Sequence, residues 1–323
     1  MNPHRTDQID APASRTRPRR GTRLSPAAAW ATTGTAFLAV QTWVIVRWLA
    51  DGDVSPTRPP EYGLSPARQA VFTTGEVAVV LAVIVCAWWI IRDLRRKGQV
   101  TIHAALFIGY GSAHWMDPVM NYRHWGFANT NATLHVTSWA PYLPGWSGPE
   151  RLPQPLIFAT GLFFPLLILW IWLALGLAHK LAALRPHWGR LRLAAALLPP
   201  VMALDAIAES LLIHVGAFAY VGASPRYSLF GGHWYQLPLA EPLLCSVLFV
   251  LPTALLIVTA QTQGREVPLF SGTQHMAGTR RVWMRLLSGI GFTHMTLLLW
   301  LVAISFFLQH PTIPQDTPPF LRM

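Results

Sequence analysis

Seven long apolar segments dominate the sequence and restrict what the chain can fold into. Each is long enough to cross about 30 Å of hydrocarbon as an α-helix. Hydrophobic residues make up 52% of the 323 residues and charged residues only 12%, which is about half the charged share of soluble proteins. The sequence therefore predicts an all-α, polytopic membrane bundle of about seven transmembrane helices. The predicted helices cover 27–49, 70–92, 101–122, 154–178, 191–215, 236–260 and 285–308.

The basic residues give this bundle an orientation. Of the 25 Lys and Arg residues, 18 lie in the N-terminal tail and in every second connection. Because cytoplasmic loops are enriched in Lys and Arg, we expect a multi-pass protein of the cell membrane with a cytoplasmic N-terminus. We therefore expect the net charge of +11 to interact with the anionic surface of the lipid bilayer and not with a nucleic acid. The predicted domains are a disordered basic cytoplasmic tail at 1–26, a membrane domain at 27–310 and a short outer tail at 311–323.

Five of the 14 acidic residues fall inside or at the ends of the predicted helices. A carboxylate in a membrane is costly unless it is protonated, paired or hydrated. Under the predicted orientation, Glu76, Asp117 and Glu241 lie in the outer parts of their helices. Asp205 and Glu209 lie nearer mid-depth. We therefore expect the polar residues to converge on one cavity in the outer half of the bundle.

The third predicted helix carries a polar stripe. Its members recur at the spacing of an α-helix and are therefore predicted to share one face. Such a face is expected to line a cavity, and the alternative is a hydrogen-bond ladder that joins neighbouring helices. The four residues of the stripe are Tyr110, His114, Asp117 and Asn121.

Asp205 and Glu209 are four residues apart and are predicted to share a face of the fifth helix. Two close carboxyl groups in a medium of low dielectric constant cannot both ionise cheaply, so one is expected to keep its proton. An acid beside a base is suited to proton transfer. The alternative is a structural pair that Arg47 or a histidine neutralises.

Metal and haem sites have weaker support from residue spacing. His114 and Asp117 could supply two metal ligands and His124 a third, but the chain has no H-x-x-H-H cluster and no H-E-x-x-H motif. His214 and His294 could pair as haem ligands only if their helices face each other. We therefore expect neither a metal nor another cofactor.

The stretch from Ser112 to Tyr122, together with the loop from Thr137 to Trp146, resembles the AveC-type spirocyclase family. The resemblance extends over about residues 27–310. Members of this family act in avermectin- and milbemycin-type macrolide biosynthesis, where they close a dihydroxyketone into a 6,6-spiroketal, and some also dehydrate one ring. The resemblance implies a cofactor-independent spiroketal cyclase for a hydrophobic polyketide macrolide that arrives from the bilayer.

Spiroketal closure needs an acid that expels water from a hemiketal and a base that accepts the proton of the attacking hydroxyl. We predict that Asp117, oriented by His114, is the leading acid–base residue, and that Asp205 and Glu209 form a second acid–base pair. The alternative function is a proton-coupled transporter that exports the macrolide, because membrane carboxylates also form proton relays. The residues expected to bind the substrate are Glu76, Tyr110, Ser112, Ala113, Trp115, Asn121 and Glu241.

Overall fold

The structure is a computed structural model that describes residues 24–52, 54, 56–57 and 62–322. The basic residues of the predicted tail, up to Arg23, lie outside the described residues. Helices form most of the described chain. The α-helices are α1 (Pro26–Ala50), α2 (Pro66–Lys97), α3 (Ile102–Ser112), α4 (Ile168–Leu184), α5 (Arg190–Val215), α6 (Ala240–Leu244), α7 (Leu251–Thr262) and α8 (Gly278–Ser305).

Six helical segments of the described chain are long and apolar enough to cross a membrane. Two of them are composite: a 3₁₀ turn, Gly161–Leu167, leads into α4, and a π-helical turn, Cys245–Val250, joins α6 to α7. The other four are α1, α2, α5 and α8. The predicted all-α membrane bundle is therefore confirmed.

Several of these helices begin and end at residues that are typical of helix termini. Ser25 and Ser65 accept a hydrogen bond from the first turns of α1 and α2, and each is followed by a proline, a favourable arrangement at a helix N-terminus. Gly98 ends α2 and Gly216 ends α5, both with positive φ, which glycine adopts without steric cost.

The third predicted helix departs from a regular span. It continues beyond α3 as a 3₁₀ helix, Ala113–Asn121, and does not belong to the six apolar segments. It still runs beside α8 along most of that helix. Arg285 Nη1 donates to Val100 O at 3.0 Å at one end, and His124 Nε2 lies 2.8 Å from Leu308 O at the other. Within the described residues, six of the seven predicted spans are therefore present as long apolar helical segments, and the third is this irregular segment packed alongside.

Helices α1 and α8 pack with their backbones in contact. A Cβ atom on Gly34 would overlap the carbonyl of Leu287, and one on Gly291 would overlap the carbonyl of Trp30. Small residues at such contacts let membrane helices approach until their backbones touch. The two glycines therefore fix the distance between α1 and α8.

Short strands tie together the long connections at one end of the bundle, here named the loop end. β1 pairs with β3 and β3 with β4, β2 pairs with β5, and β6 pairs with β7, all antiparallel. The C-terminal residues pack onto this layer, where Asn131 Nδ2 donates to Arg322 O at 2.7 Å. The strands are β1 (Pro56–Thr57), β2 (Ala128–Asn129), β3 (His135–Thr137), β4 (Pro153–Pro155), β5 (Phe218–Ala219), β6 (Ser228–Leu229) and β7 (Leu237–Pro238).

Candidate functional site

A cluster of three carboxyl groups, two of them buried and the third partly buried, lies towards the loop end, between α4, α5, α6 and α8. Asp205 and Glu209 come from α5 and Glu241 comes from α6. Asp205 is 2% exposed and Glu241 1% exposed. One oxygen of each of these two residues and the Sγ atom of Cys245 lie within 4.8 Å of one another. We name Asp205, Glu209 and Glu241 the carboxyl cluster.

The two oxygens of Asp205 have different surroundings. Oδ1 accepts a hydrogen bond from Trp170 Nε1 at 2.6 Å and another from Cys245 Sγ at 3.5 Å. Oδ2 is buried and has no hydrogen-bond partner, and the same holds for Oε2 of Glu241. A buried carboxyl oxygen without a partner is costly. These two oxygens are therefore the ones available to a water molecule or a substrate hydroxyl.

Glu209 has a separate donor. The hydroxyl of Tyr220, in the connection after α5, donates to Glu209 Oε2 at 3.0 Å. Burial raises the pKa of Tyr220 well above its ordinary value, and the nearby carboxyl groups raise it further. The phenol therefore stays protonated and remains a donor over the physiological pH range.

The π-helical turn determines the direction in which the side chains of Glu241, Cys245 and Phe249 point. In a regular α-helix, residues eight positions apart differ in direction by about 80°. The wider turn of a π-helix reduces that difference, and all three side chains line the same cavity. The irregular turn thus brings the thiol and an aromatic ring to the carboxyl group of Glu241.

The cavity beside the carboxyl cluster has a volume of about 40 Å³, room for a few water molecules at most. No Lys, Arg or His belongs to its lining. The guanidinium group of Arg47, one candidate for neutralising the pair, instead lies over the rings of Trp43 and Tyr142. Buried carboxyl groups without a basic partner keep their protons, except where hydrogen-bond donors stabilise one of them as a carboxylate. The remaining lining residues are Phe163, Leu167, Trp170, Cys245, Phe249, Leu297 and Trp300.

Asp117 lies apart from this cavity and is not among its lining residues. Its Oδ2 accepts a hydrogen bond from Asn129 Nδ2 at 3.0 Å, and Asn129 belongs to strand β2. The ring of His114 packs between Trp139 and Phe164, and its Nε2 atom has no hydrogen-bond partner. The expected orientation of Asp117 by His114 is therefore not formed.

The remaining members of the polar stripe also separate. Because the chain becomes a 3₁₀ helix at Ala113, the α-helical spacing that predicted one shared face ends there. The side chain of Asn121 instead bonds the backbone of Gly126 and Phe127. Tyr110 is fully buried, with its ring 5.2 Å from that of Phe249. It therefore supports the cavity wall from behind.

The other predicted binding residues are scattered. Glu76 accepts a hydrogen bond from the backbone N–H of Leu134 at 3.1 Å and so holds a loop. Ser112 donates to the carbonyl of Gly109 within α3, and Ala113 is fully buried. Of the residues predicted to bind substrate, Glu241 alone lines the cavity of the carboxyl cluster.

A larger apolar cavity of about 590 Å³ lies between α1, the 3₁₀ helix and α8. Trp115 lines it together with Phe37 and Leu298. The hydroxyls of Thr32, Thr33 and Tyr122 each donate to a backbone carbonyl, whereas Nε1 of Trp115 is buried without a hydrogen-bond partner. No carboxyl group lines this cavity. It has the volume for an apolar molecule but no group for proton transfer.

The carboxyl cluster is also where a metal ion would find ligands. Asp205, Glu241 and Cys245 form the single group of three such side chains among the described residues. Cys245 donates a hydrogen bond to Asp205, which requires a protonated thiol, whereas a metal ligand would be the thiolate. The expected absence of a metal stays a prediction.

Sequence reasoning missed three residues of the site. Cys245 follows Glu241 by four positions in an apolar run, and this helical spacing could have joined the two. Trp170 and Tyr220 reach the cluster from α4 and from a loop. No local pattern connects them to α5, so only the folded structure shows them.

Replacement of Tyr220 by Phe tests the bond to Glu209. We expect a loss of about 1 kcal/mol in the free energy of unfolding because the partly buried carboxyl group of Glu209 loses its donor. The measurement is denaturation of the detergent-purified variant, with Tyr227→Phe as the control because Tyr227 is exposed. Equal stability of the two variants would contradict this account of Glu209.

Residues 94–317 match the sequence profile of a family described as "Spirocyclase AveC-like". The match begins near the end of α2 and includes the carboxyl cluster and Asp117. It thus covers about two thirds of the chain, and α1 lies outside it. No curated protein and no solved structure matches the chain.

Proposed function

Because the chain belongs to the AveC-like spirocyclase family, we propose that it closes a dihydroxyketone polyketide macrolide into a 6,6-spiroketal at the carboxyl cluster. One hydroxyl adds to the ketone to give a hemiketal. The hemiketal hydroxyl is then protonated and leaves as water, and the second hydroxyl attacks the resulting oxocarbenium ion. Its proton returns to the protein, so the reaction loses one water and consumes no other reactant.

The carboxyl cluster contains the groups that these proton transfers require. Glu241 in its protonated form serves as the acid, and ionised Asp205 serves as the base that receives the last proton. Their unpartnered oxygens border the same cavity. Positioned acids and bases contribute typically about 10²- to 10⁴-fold to a rate. The single observation that carries the proposal is this close pair of buried carboxyl groups.

The walls of the cavity suit a cationic intermediate. Four aromatic side chains line it, and the carboxylate supplies a negative charge beside them. Aromatic faces stabilise a nearby cation by about 0.5–2 kcal/mol each. These rings and the carboxylate therefore offset part of the desolvation cost of an oxocarbenium ion formed there. The four are Phe163, Trp170, Phe249 and Trp300.

The substrate must displace part of the wall, because the cavity of about 40 Å³ is far smaller than a macrolide. Four lining residues are only partly buried, so we place the route to the cavity beside them, between the start of α4 and the end of α8. They are Phe163, Leu167, Trp170 and Trp300. If the helices cross the membrane as proposed, this side of the bundle faces the lipid. A hydrophobic macrolide dissolved in the bilayer would reach the cluster by this route.

Asp117 takes a structural role in this proposal. Its carboxylate joins the 3₁₀ helix to strand β2 through Asn129, and no part of it borders the cavity. The catalytic assignment therefore rests on Asp205, Glu209 and Glu241. Dehydration of the finished ring is a second reaction that the same acid and base would be able to perform.

The test is a mass-spectrometric assay of detergent-purified protein with an open-chain dihydroxyketone macrolide. We expect loss of one water faster than the spontaneous rate and a single spiroketal diastereomer, both unchanged after chelator treatment. The spontaneous rate and mixture would overturn the proposal. In that case, proton-driven uptake of the macrolide into sealed vesicles would support the transporter. Activity lost to a chelator and restored by a divalent metal would overturn the metal-free mechanism.

A further inference from the structure

We infer that Trp170 and Cys245 are positioning residues that fix Asp205 as the base and leave Glu241 as the acid. This inference rests on the proposed function. Two carboxyl groups of similar chemistry and burial lie side by side, and a directed reaction needs one of them charged and the other protonated. Their hydrogen-bond partners differ, and that difference assigns the roles.

Both donors reach the same oxygen of Asp205. The indole N–H of Trp170 approaches Oδ1 at 2.6 Å from α4, and the thiol of Cys245 approaches it at 3.5 Å from the π-helical turn. Hydrogen bonds to a carboxylate stabilise its charged form, and charge-assisted bonds are the strong ones. They also fix the plane of the carboxylate, so that Oδ2 is the oxygen left for the substrate.

Glu241 has no comparable donors. Its Oε2 atom has no hydrogen-bond partner, and the groups beside it are the carboxyl group of Asp205 and the thiol of Cys245. The titratable groups that face Asp205 are Glu209 on its own helix, Glu241, Cys245 and Tyr220, and no basic side chain lines the cavity. The donors on Oδ1 therefore favour placing the negative charge on Asp205.

The cavity offers a matched comparison of two tryptophans. Trp170 and Trp300 both line it, but Nε1 of Trp170 donates to Asp205, whereas Nε1 of Trp300 has no hydrogen-bond partner. Replacement by Phe shortens the aromatic wall in both variants and removes a donor to Asp205 in Trp170→Phe alone. Any difference between the two variants in how the rate of ring closure depends on pH therefore reports the effect of the hydrogen bond.

The experiment measures kcat and KM for ring closure over a pH series with the full-length protein in detergent. In Trp170→Phe we expect kcat to fall about tenfold with little change in KM. The acidic limb of the profile should move up by roughly one pH unit, because Asp205 without its donor takes up a proton more readily. In Trp300→Phe the acidic limb should stay in place.

A second pair of variants keeps the inference testable if Trp170→Phe does not fold. Cys245→Ala should move the limb in the same direction, and Cys245→Ser, which retains a donor, should restore it. An active wild-type protein whose acidic limb is the same in Trp170→Phe, Cys245→Ala and Trp300→Phe would overturn this inference alone. A wild-type protein without cyclase activity would overturn the proposed function instead.

Discussion

Replacement of Asp205 by Asn is expected to slow enzymatic ring closure about a thousandfold. Asparagine has nearly the same shape but cannot accept the proton of the attacking hydroxyl. Its side chain also remains next to Glu241 and Trp170, so the packing of the cluster changes little. The measurement is the initial rate of water loss from the open-chain macrolide, after subtraction of the spontaneous rate.

The control for this prediction is Asp51→Asn. Asp51 is exposed at the C-terminal end of α1, so the same chemical change there should leave the rate within about twofold of wild type. Retention of more than a tenth of the wild-type rate by Asp205→Asn would contradict the role of Asp205 as base.

Replacement of Gly291 by Ala is expected to lower the free energy of unfolding by about 3 kcal/mol. The added Cβ atom would overlap the backbone carbonyl of Trp30. A backbone atom cannot rotate away as a flexible side chain can, so α1 and α8 must separate. Thermal denaturation of the purified variant in detergent measures the effect.

Gly176→Ala is the matched control because a Cβ atom at Gly176, within α4, meets no atom within 4 Å. Alanine is more favourable than glycine inside a helix by about 0.5–1 kcal/mol, so this variant should be as stable as wild type or more so. A Gly291→Ala protein as stable as Gly176→Ala would show that α1 and α8 do not need their close contact.

The helical architecture was predictable because each span is a continuous apolar run. For α5 the sequence predicts 191–215, and the helix covers Arg190–Val215. The third segment differs because its polar residues and Pro118 favour a 3₁₀ helix packed inside the protein. Hydropathy reports how apolar a segment is, but it does not report which type of helix forms.

The site was only partly predictable, for a related reason. Asp205 and Glu209 are four residues apart on one helix, so local spacing brings them together. Glu241 joins them from α6, which lies more than 30 positions away in the chain. The polar stripe through Asp117 does not form one shared face, because its spacing assumes an α-helix throughout and the chain is a 3₁₀ helix from Ala113. Helical periodicity predicts neighbours only where the helix type is the one assumed.

The central claim, that spiroketal closure takes place at the carboxyl cluster, is tested most directly by comparing Glu241→Gln with Asp117→Asn. Both variants replace a buried carboxyl group by an amide of the same shape, but only Glu241 borders the cavity. The measurement is the diastereomer ratio and initial rate of ring closure by each purified variant. We predict the spontaneous mixture and rate for Glu241→Gln and a single diastereomer at near wild-type rate for Asp117→Asn. The reverse result would contradict the account and place the reaction at Asp117.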